Sequence, residues 1–94
     1  MANADRMRRA LESFRQWEQP WKYIETVLAY RELQDDELQL ISELWAEATN
    51  AKSWAQPSVL ACEELVRQKL IGSYSWLSTS AIDSLIRAAS YEWK

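Results

Sequence analysis

The strongest constraint on the fold is the stretch from Asp35 to Gly72, in which apolar side chains recur with the period of a helix. From Asp36 onward, one broad arc of the helical wheel is apolar and the opposite arc is polar. The apolar arc contains Leu38, Ile41, Leu44, Trp45 and Ala48, and the polar arc contains Gln39, Ser42, Glu43 and Glu47. This pattern predicts a helix with one buried face and one solvated face.

A second helix is predicted after the turn at residues 54–57. Pro57 suits the first turn of a helix, and Gly72 suits the left-handed residue that ends one. The apolar stripe of this helix contains Val59, Cys62, Leu65, Val66 and Leu70. We therefore expect the two helices to form a hairpin onto which the rest of the chain packs.

Helical spacing continues on both sides of this hairpin. A first helix is predicted from a cap at Asn3 or Asp5 to Gln19, another is predicted to start at Pro20, and a last one after a cap at Ser78 or Ser80. Their inward positions are Met7, Ala10, Leu11, Phe14 and Trp17; then Trp21, Ile24, Val27 and Leu28; then Ile82, Leu85, Ile86, Ala89 and Trp93. The predicted fold class is all-α, a compact bundle of about five helices in one domain spanning residues 1–94.

Turn chemistry supports helices over strands. The chain has one glycine and two prolines, so we expect few connections and long elements.

The segment Trp-Glu-Gln-Pro at residues 17–20 also recurs as Trp-Ala-Gln-Pro at residues 54–57, at a spacing typical of helical-hairpin repeats. Two readings stay open: two related hairpins followed by a closing C-terminal helix, or coincident turn chemistry.

Residue usage excludes most catalytic chemistry. The chain has no histidine, one cysteine and one glycine, so histidine triads, histidine or cysteine metal sites and glycine-rich phosphate loops are impossible. The adjacent carboxylates Asp35, Asp36 and Glu37 suit a solvated helix start better than a metal site. Cys62 lies on an apolar stripe and is predicted to be a buried hydrophobe. We predict no enzymatic activity, no catalytic residues, no metal and no cofactor.

Charge and hydropathy limit the choice of partner. The formal net charge is -3, and Asp5, Glu12 and Glu18 dilute the arginines of the first helix, so nucleic acid is disfavoured. Those arginines are Arg6, Arg8, Arg9 and Arg15. The lone cysteine, and the absence of an apolar leader or of a membrane-length apolar run, predict a soluble, cytoplasmic protein that does not enter membranes.

Two features stand above this background. Six acidic residues and no basic one lie between Glu32 and Glu47, which predicts a negative surface. Six tryptophans and four tyrosines are more than a core of this size needs. Trp17, Trp21, Trp45 and Trp93 have inward positions, whereas Tyr23, Tyr30, Trp54, Tyr74 and Trp76 do not all fit inside.

The favoured hypothesis is a non-enzymatic protein–protein interaction module acting through an aromatic surface patch, because aromatic residues are enriched at such interfaces. The alternative is a small acidic inhibitor or immunity-type protein, of phage or bacterial origin, that occludes a basic surface on a larger enzyme. The partner is another protein, a basic one under the alternative, and a homo-oligomer is compatible with both. The predicted partner-binding residues are Tyr23, Tyr30, Trp54, Trp76, Glu43 and Glu47.

Overall fold

The computed structural model describes residues 2–93, and within that range the chain forms five α-helices and no strand. The helices are α1 (Ala4–Glu12), α2 (Tyr23–Leu28), α3 (Asp35–Ala48), α4 (Val59–Ser73) and α5 (Thr79–Glu92), with a 3₁₀ turn at Pro20–Lys22 before α2. The Cα radius of gyration is 12.6 Å, close to the ~12 Å expected of a folded chain of this length. The predicted compact all-α bundle is confirmed.

Helix α5 is the central element of the bundle. It packs against α1, α3, α4 and the 3₁₀ turn, while α1 contacts α2 and α3 contacts α4. The buried positions of α5 are Ala81, Ile82, Leu85, Ile86, Ala88 and Ala89. The alanines let neighbouring helices approach closely, and the larger side chains fill the space between them. The bundle therefore consists of two helical hairpins closed by α5, and α5 organises the core rather than the α3–α4 hairpin.

Side-chain caps fix the start of three helices. The Asn3 side chain accepts a hydrogen bond from the Arg6 backbone N–H (3.0 Å), and the Ser78 hydroxyl accepts one from the Ala81 N–H (3.1 Å). Such caps satisfy backbone donors that the helix itself cannot pair. Asn3 and Ser78 are thus the correct choices among the predicted caps. For α4 the cap is Ser58, so Pro57 precedes the helix and the expectation that it lies in the first turn is wrong.

Two predicted helix ends are also wrong. Helix α1 stops at Glu12 rather than Gln19, because the Ser13 hydroxyl and backbone N–H both bond to the Ala10 carbonyl and close the last turn. Gly72 lies inside α4, and no glycine has a positive φ. The helix runs on to Ser73, where the Tyr74 N–H donates to the Leu70 carbonyl at 2.9 Å.

The first turn of α4 projects beyond the core. Val59, predicted to be inward, is 56% exposed, and Leu60 is 78% exposed. Cys62 is the first buried residue of this helix, as predicted for that position, and Val66 and Leu70 follow it into the core. The predicted stripe of α4 is therefore confirmed at Cys62, Val66 and Leu70, while Leu65 is only half-buried and the prediction is wrong at Val59.

The two Trp-x-Gln-Pro segments differ in structure. Pro20 opens the 3₁₀ turn, whereas Pro57 stays outside a helix that begins after Ser58. The tryptophan of each segment is half-buried against the core. The residues after the tryptophan thus adopt different conformations in the two turns.

Among residues 2–93, no helix combines the length and the apolar character needed to cross a lipid bilayer.

Candidate interaction surfaces

The most exposed aromatic side chains are Trp21 (54%), Trp93 (48%) and Tyr91 (39%). Trp21 and Trp93 were predicted to face inward, and both predictions are wrong. Trp21 lies in a 3₁₀ turn, whose ~3.0 residues per turn place side chains differently from an α-helical wheel. Trp93 follows the last residue of α5, so the stripe of that helix no longer governs its direction.

Tyr23, predicted to belong to a surface patch, lies in the core with no exposed surface. Its hydroxyl donates a hydrogen bond to the Leu11 carbonyl at 2.8 Å. Its ring stacks on Trp17, with centroids 5.6 Å apart, and meets Phe14 edge-on. Burial, aided by the charge of Glu12, raises the pKa of the Tyr23 phenol. The core accepts this tyrosine because a backbone carbonyl satisfies its hydroxyl, so Tyr23 cannot contact a partner.

Tyr30, Trp54 and Trp76 are half-buried and pack against the core. Trp54 donates its indole N–H to the Ala48 carbonyl at 2.8 Å. Trp76 meets Tyr74 edge-on, with ring centroids 6.5 Å apart. Within residues 2–93, no ring contact joins Tyr30, Trp54 and Trp76 to one another. These three side chains are therefore not joined to one another by direct ring contacts.

The first candidate surface, termed the aromatic–arginine surface, consists of Trp21, Arg87 and Tyr91. The Trp21 and Tyr91 rings lie 5.7 Å apart between centroids. Arg87 is one helical turn before Tyr91 on α5, and its guanidinium carbon lies 4.4 Å from the centroid of the Trp17 ring. Since Trp17 stacks on buried Tyr23, a cation–π contact ties the exposed arginine to the core.

The second candidate surface, termed the Trp54 pocket, is an open cavity of about 180 Å³ between α4 and the end of α5. It is lined by Trp54, Gln56, Pro57, Ser58, Val59, Cys62, Ser90 and Trp93. The indole N–H groups of Trp54 and Trp93 donate to the Ala48 and Thr49 carbonyls at 2.8 and 2.9 Å. Both rings are thereby held in place, and they present apolar faces to a pocket that has no charged lining residue.

The third candidate surface, termed the acidic surface, is formed by Glu43 and Glu47 beside Tyr74. Glu43 is exposed and Glu47 half-buried. Partial burial, followed by the negative charges of Glu47 and Glu43, raises the pKa of the Tyr74 phenol. The fold thus brings both predicted glutamates close to Tyr74 and, through its ring contact, to Trp76.

Glu37, assigned from the sequence to a solvated helix start, is instead fully buried. Its carboxylate accepts hydrogen bonds from the Asn3 N–H (2.7 Å), the Gln34 N–H (2.8 Å) and the Arg6 Nε (2.9 Å). The bond from Arg6 is the main reason that the pKa of Glu37 falls to about 2, and the two backbone donors add to it. The Gln34-to-Glu37 spacing is that of a capping box, so part of this contact was visible in the sequence.

The arginines of α1 are partly neutralised. Arg6 pairs with Glu37, and Arg8 pairs with Asp5 while donating to the Trp76 carbonyl. Arg15, which lies beyond the end of α1, donates to the Glu12 and Phe14 carbonyls. Guanidinium groups committed to carboxylates offer less charge to phosphates, so this helix gives no support to a nucleic-acid interface.

One contact, between Lys69 and Ser53, joins residue types that can form a catalytic pair. Lys69 Nζ donates to Ser53 Oγ at 2.9 Å, but Ser53 is fully buried and lines no part of the Trp54 pocket, so a substrate cannot reach it. In the described range, no group of three or more cysteine, aspartate or glutamate side chains is arranged to hold a metal ion.

The residues that sequence reasoning missed are Trp21, Arg87, Tyr91 and Trp93. One signal was available, because Tyr91 falls outside the apolar stripe of α5. Comparison with known proteins adds no assignment, since no family model, no curated protein and no solved structure matches the chain.

Proposed function

We propose that this protein is a non-enzymatic protein–protein interaction module that binds its partner through the aromatic–arginine surface. The observation that carries the proposal is the exposed Trp21–Tyr91 ring pair with Arg87 one turn away. Tryptophan, tyrosine and arginine are the residue types most enriched among binding hot spots. The proposal thus keeps an aromatic binding surface, as expected from the sequence, but assigns it to the more exposed residues Trp21 and Tyr91.

The rigidity of these side chains supports the same proposal. Arg87 is held over Trp17, which stacks on Tyr23, and Trp21 and Tyr91 lie against each other. Side chains ordered before binding lose little conformational entropy in a complex, so more of their contact energy appears as affinity.

We also keep the cytoplasmic setting as part of the proposal, because the one cysteine, Cys62, is a buried free thiol.

The test is to recover the partner by affinity capture from source cells and then measure its affinity for point variants. Trp21→Ala or Tyr91→Ala should lower affinity by ~2 kcal/mol or more. The melting temperature should change little, because neither side chain belongs to the buried core. Ile71→Ala is the control, since Ile71 is a 52% exposed apolar residue on another helix. Equal affinity of all three variants and the unmodified chain would refute the assignment of this surface.

A second candidate function is an acidic inhibitor or immunity-type protein that covers a basic surface on a larger enzyme. The placement of exposed Glu43 and half-buried Glu47 beside Tyr74 favours it, because like charges that reach solvent project a field that steers a basic partner.

Charge reversal separates the two candidates. Glu43→Lys with Glu47→Lys should slow association more than tenfold at low salt if the acidic surface binds, and this effect should shrink as salt rises. The association rate of this double variant should change little if the partner binds the aromatic–arginine surface. Glu64→Lys with Glu92→Lys is the control, because both residues are exposed and the net charge changes equally. The same slowing by both double variants would show an effect of net charge alone.

A further inference from the structure

We propose that the aromatic–arginine surface binds a segment of its partner in which an aspartate or glutamate lies close to a large apolar side chain, an inference that rests on the proposed function. The carboxylate of the partner pairs with Arg87, and the apolar side chain covers the Trp21–Tyr91 ring pair. Two observations carry this assignment. The exposed guanidinium of Arg87 has unpaired donors, and it lies one helical turn from an exposed pair of rings.

The N–H donors of Arg87 are available to a partner. Among residues 2–93, no oxygen accepts a hydrogen bond from this guanidinium, and no ion pair includes it. Its central carbon lies 4.4 Å from the centroid of the Trp17 ring. This cation–π contact holds the group in place but pairs none of its five N–H donors with an oxygen. Arg87 thus presents a held, planar fork of donors, which matches the two oxygens of a carboxylate.

The acidic side chains closest to Arg87 along the chain do not take this position. Asp83 lies one helical turn before it on α5, but its carboxylate already accepts a hydrogen bond from Arg67 at 2.9 Å. Glu92 lies ~140° away from Arg87 on a helical wheel. Glu18, on the segment before the 3₁₀ turn, is exposed and forms no ion pair with Arg87. Within the described part of the chain, the carboxylate position beside Arg87 is therefore open to a partner.

The charge of the surface selects a carboxylate over other anions. Nucleic acids are bound by many cations acting on successive phosphates, whereas this surface offers one held arginine in a chain of net charge -3. A phosphate group carries up to two negative charges, so that net charge repels it more strongly than a carboxylate, which carries one. Arg87 is a positive charge without a counterion beside apolar rings, and a partner segment that is acidic at one position and apolar at another complements both.

The geometry of the surface also predicts the spacing of the two partner side chains. Arg87 and Tyr91 are four residues apart on α5, which corresponds to a rise of ~6 Å. On an extended peptide, side chains two residues apart point the same way and are separated by ~6.6 Å. We therefore expect the acidic and the apolar residue of the partner to be separated by one intervening position.

Selection from a random peptide library displayed on phage, with the intact protein as the target, tests the inference. The recovered peptides should share an aspartate or glutamate and, two positions away, a tryptophan, phenylalanine or leucine. Titration calorimetry with the tightest peptide should show at least tenfold weaker binding to Arg87→Gln than to the unmodified chain. Changing the acidic residue of the peptide to its amide should cause a similar loss. The amide peptide should bind Arg87→Gln and the unmodified chain about equally, because both changes remove the same ion pair.

Arg31→Gln is the matched control, since Arg31 is exposed and the net charge changes equally. An equal effect of Arg31→Gln would show an effect of net charge alone and would overturn the inference. Peptides that lose affinity for Trp21→Ala but not for Arg87→Gln, or that bind equally well as the amide, would also overturn it and leave the proposed function standing. If the selection recovers no peptide that depends on Trp21, the inference and the proposed function both fail.

Discussion

At the scale of single residues, the buried carboxylate of Glu37 joins two parts of the chain that are distant in sequence. It receives donors from Asn3 and Arg6 at the start of α1 and from Gln34 at the start of α3. A buried charge is tolerated only when its hydrogen-bonding capacity is filled, and here it is filled by one guanidinium and two backbone N–H groups. Glu37 therefore ties the start of α1 to the start of α3.

This contact predicts how stability depends on pH. The pKa of Glu37 is lowered from 4.5 to about 2 in the folded protein. Because the pKa is lower in the folded protein than in the unfolded chain, the ionised carboxylate stabilises the fold. This contribution to the free energy of unfolding is complete above the pKa of the unfolded chain and is lost as pH falls through the pKa of the folded protein. Glu37→Gln, which keeps the shape but removes the charge, should lower the melting temperature at pH 7 by on the order of 5 °C.

Melting temperatures measured between pH 7 and pH 2 check this prediction. The difference between Glu37→Gln and the unmodified chain should shrink from about pH 4.5 downward and nearly vanish near pH 2. Asp83→Asn is the control, because the Arg67–Asp83 ion pair is exposed and exposed pairs contribute little. A difference that stays constant across this range would contradict the ionised state assigned to Glu37.

At the scale of secondary-structure elements, the sequence predicts helices whose signals are local. Helix α3 could be predicted because the apolar period of one helical face marks it. The start of α5 could be predicted because a serine hydroxyl caps it, and Ser78 was one of the two serines considered. The end of α1 and the exposure of Trp21 could not be predicted in this way. They depend on the Ser13 hydroxyl bonding to the preceding turn and on a 3₁₀ turn that begins at Pro20.

The candidate surfaces were less predictable than the helices, because exposure depends on which neighbour covers a side chain. Val59 fits a helical stripe, yet no other element covers the first turn of α4. Tyr23 was counted among the surplus aromatics because a core of this size has few inward positions, yet the core holds it, with the Leu11 carbonyl of a neighbouring helix accepting its hydroxyl. The acidic pair Glu43 and Glu47 lies on the face expected from the wheel, since a local pattern sets it.

At the scale of the whole molecule, α5 packs against one or both helices of each hairpin, so its core positions should control the stability of α1, α3 and α4. Leu85 has no exposed surface and lies in the middle of this helix. Replacing a fully buried leucine by alanine removes apolar contacts and leaves a cavity, which costs ~2–5 kcal/mol. For a domain of this size that is a large share of a total stability of ~5–15 kcal/mol.

We expect Leu85→Ala to lower the free energy of unfolding by ~2–5 kcal/mol while unfolding stays a single cooperative transition. Urea titrations followed by far-ultraviolet circular dichroism and by tryptophan fluorescence should give coincident curves, because the tryptophans lie in or beside both hairpins and all depend on α5. Ile71→Ala, at a 52% exposed site on α4, should cost less than ~1 kcal/mol. Two separated transitions in Leu85→Ala would mean that the hairpins fold independently, and the prediction of one domain over residues 1–94 would then be wrong.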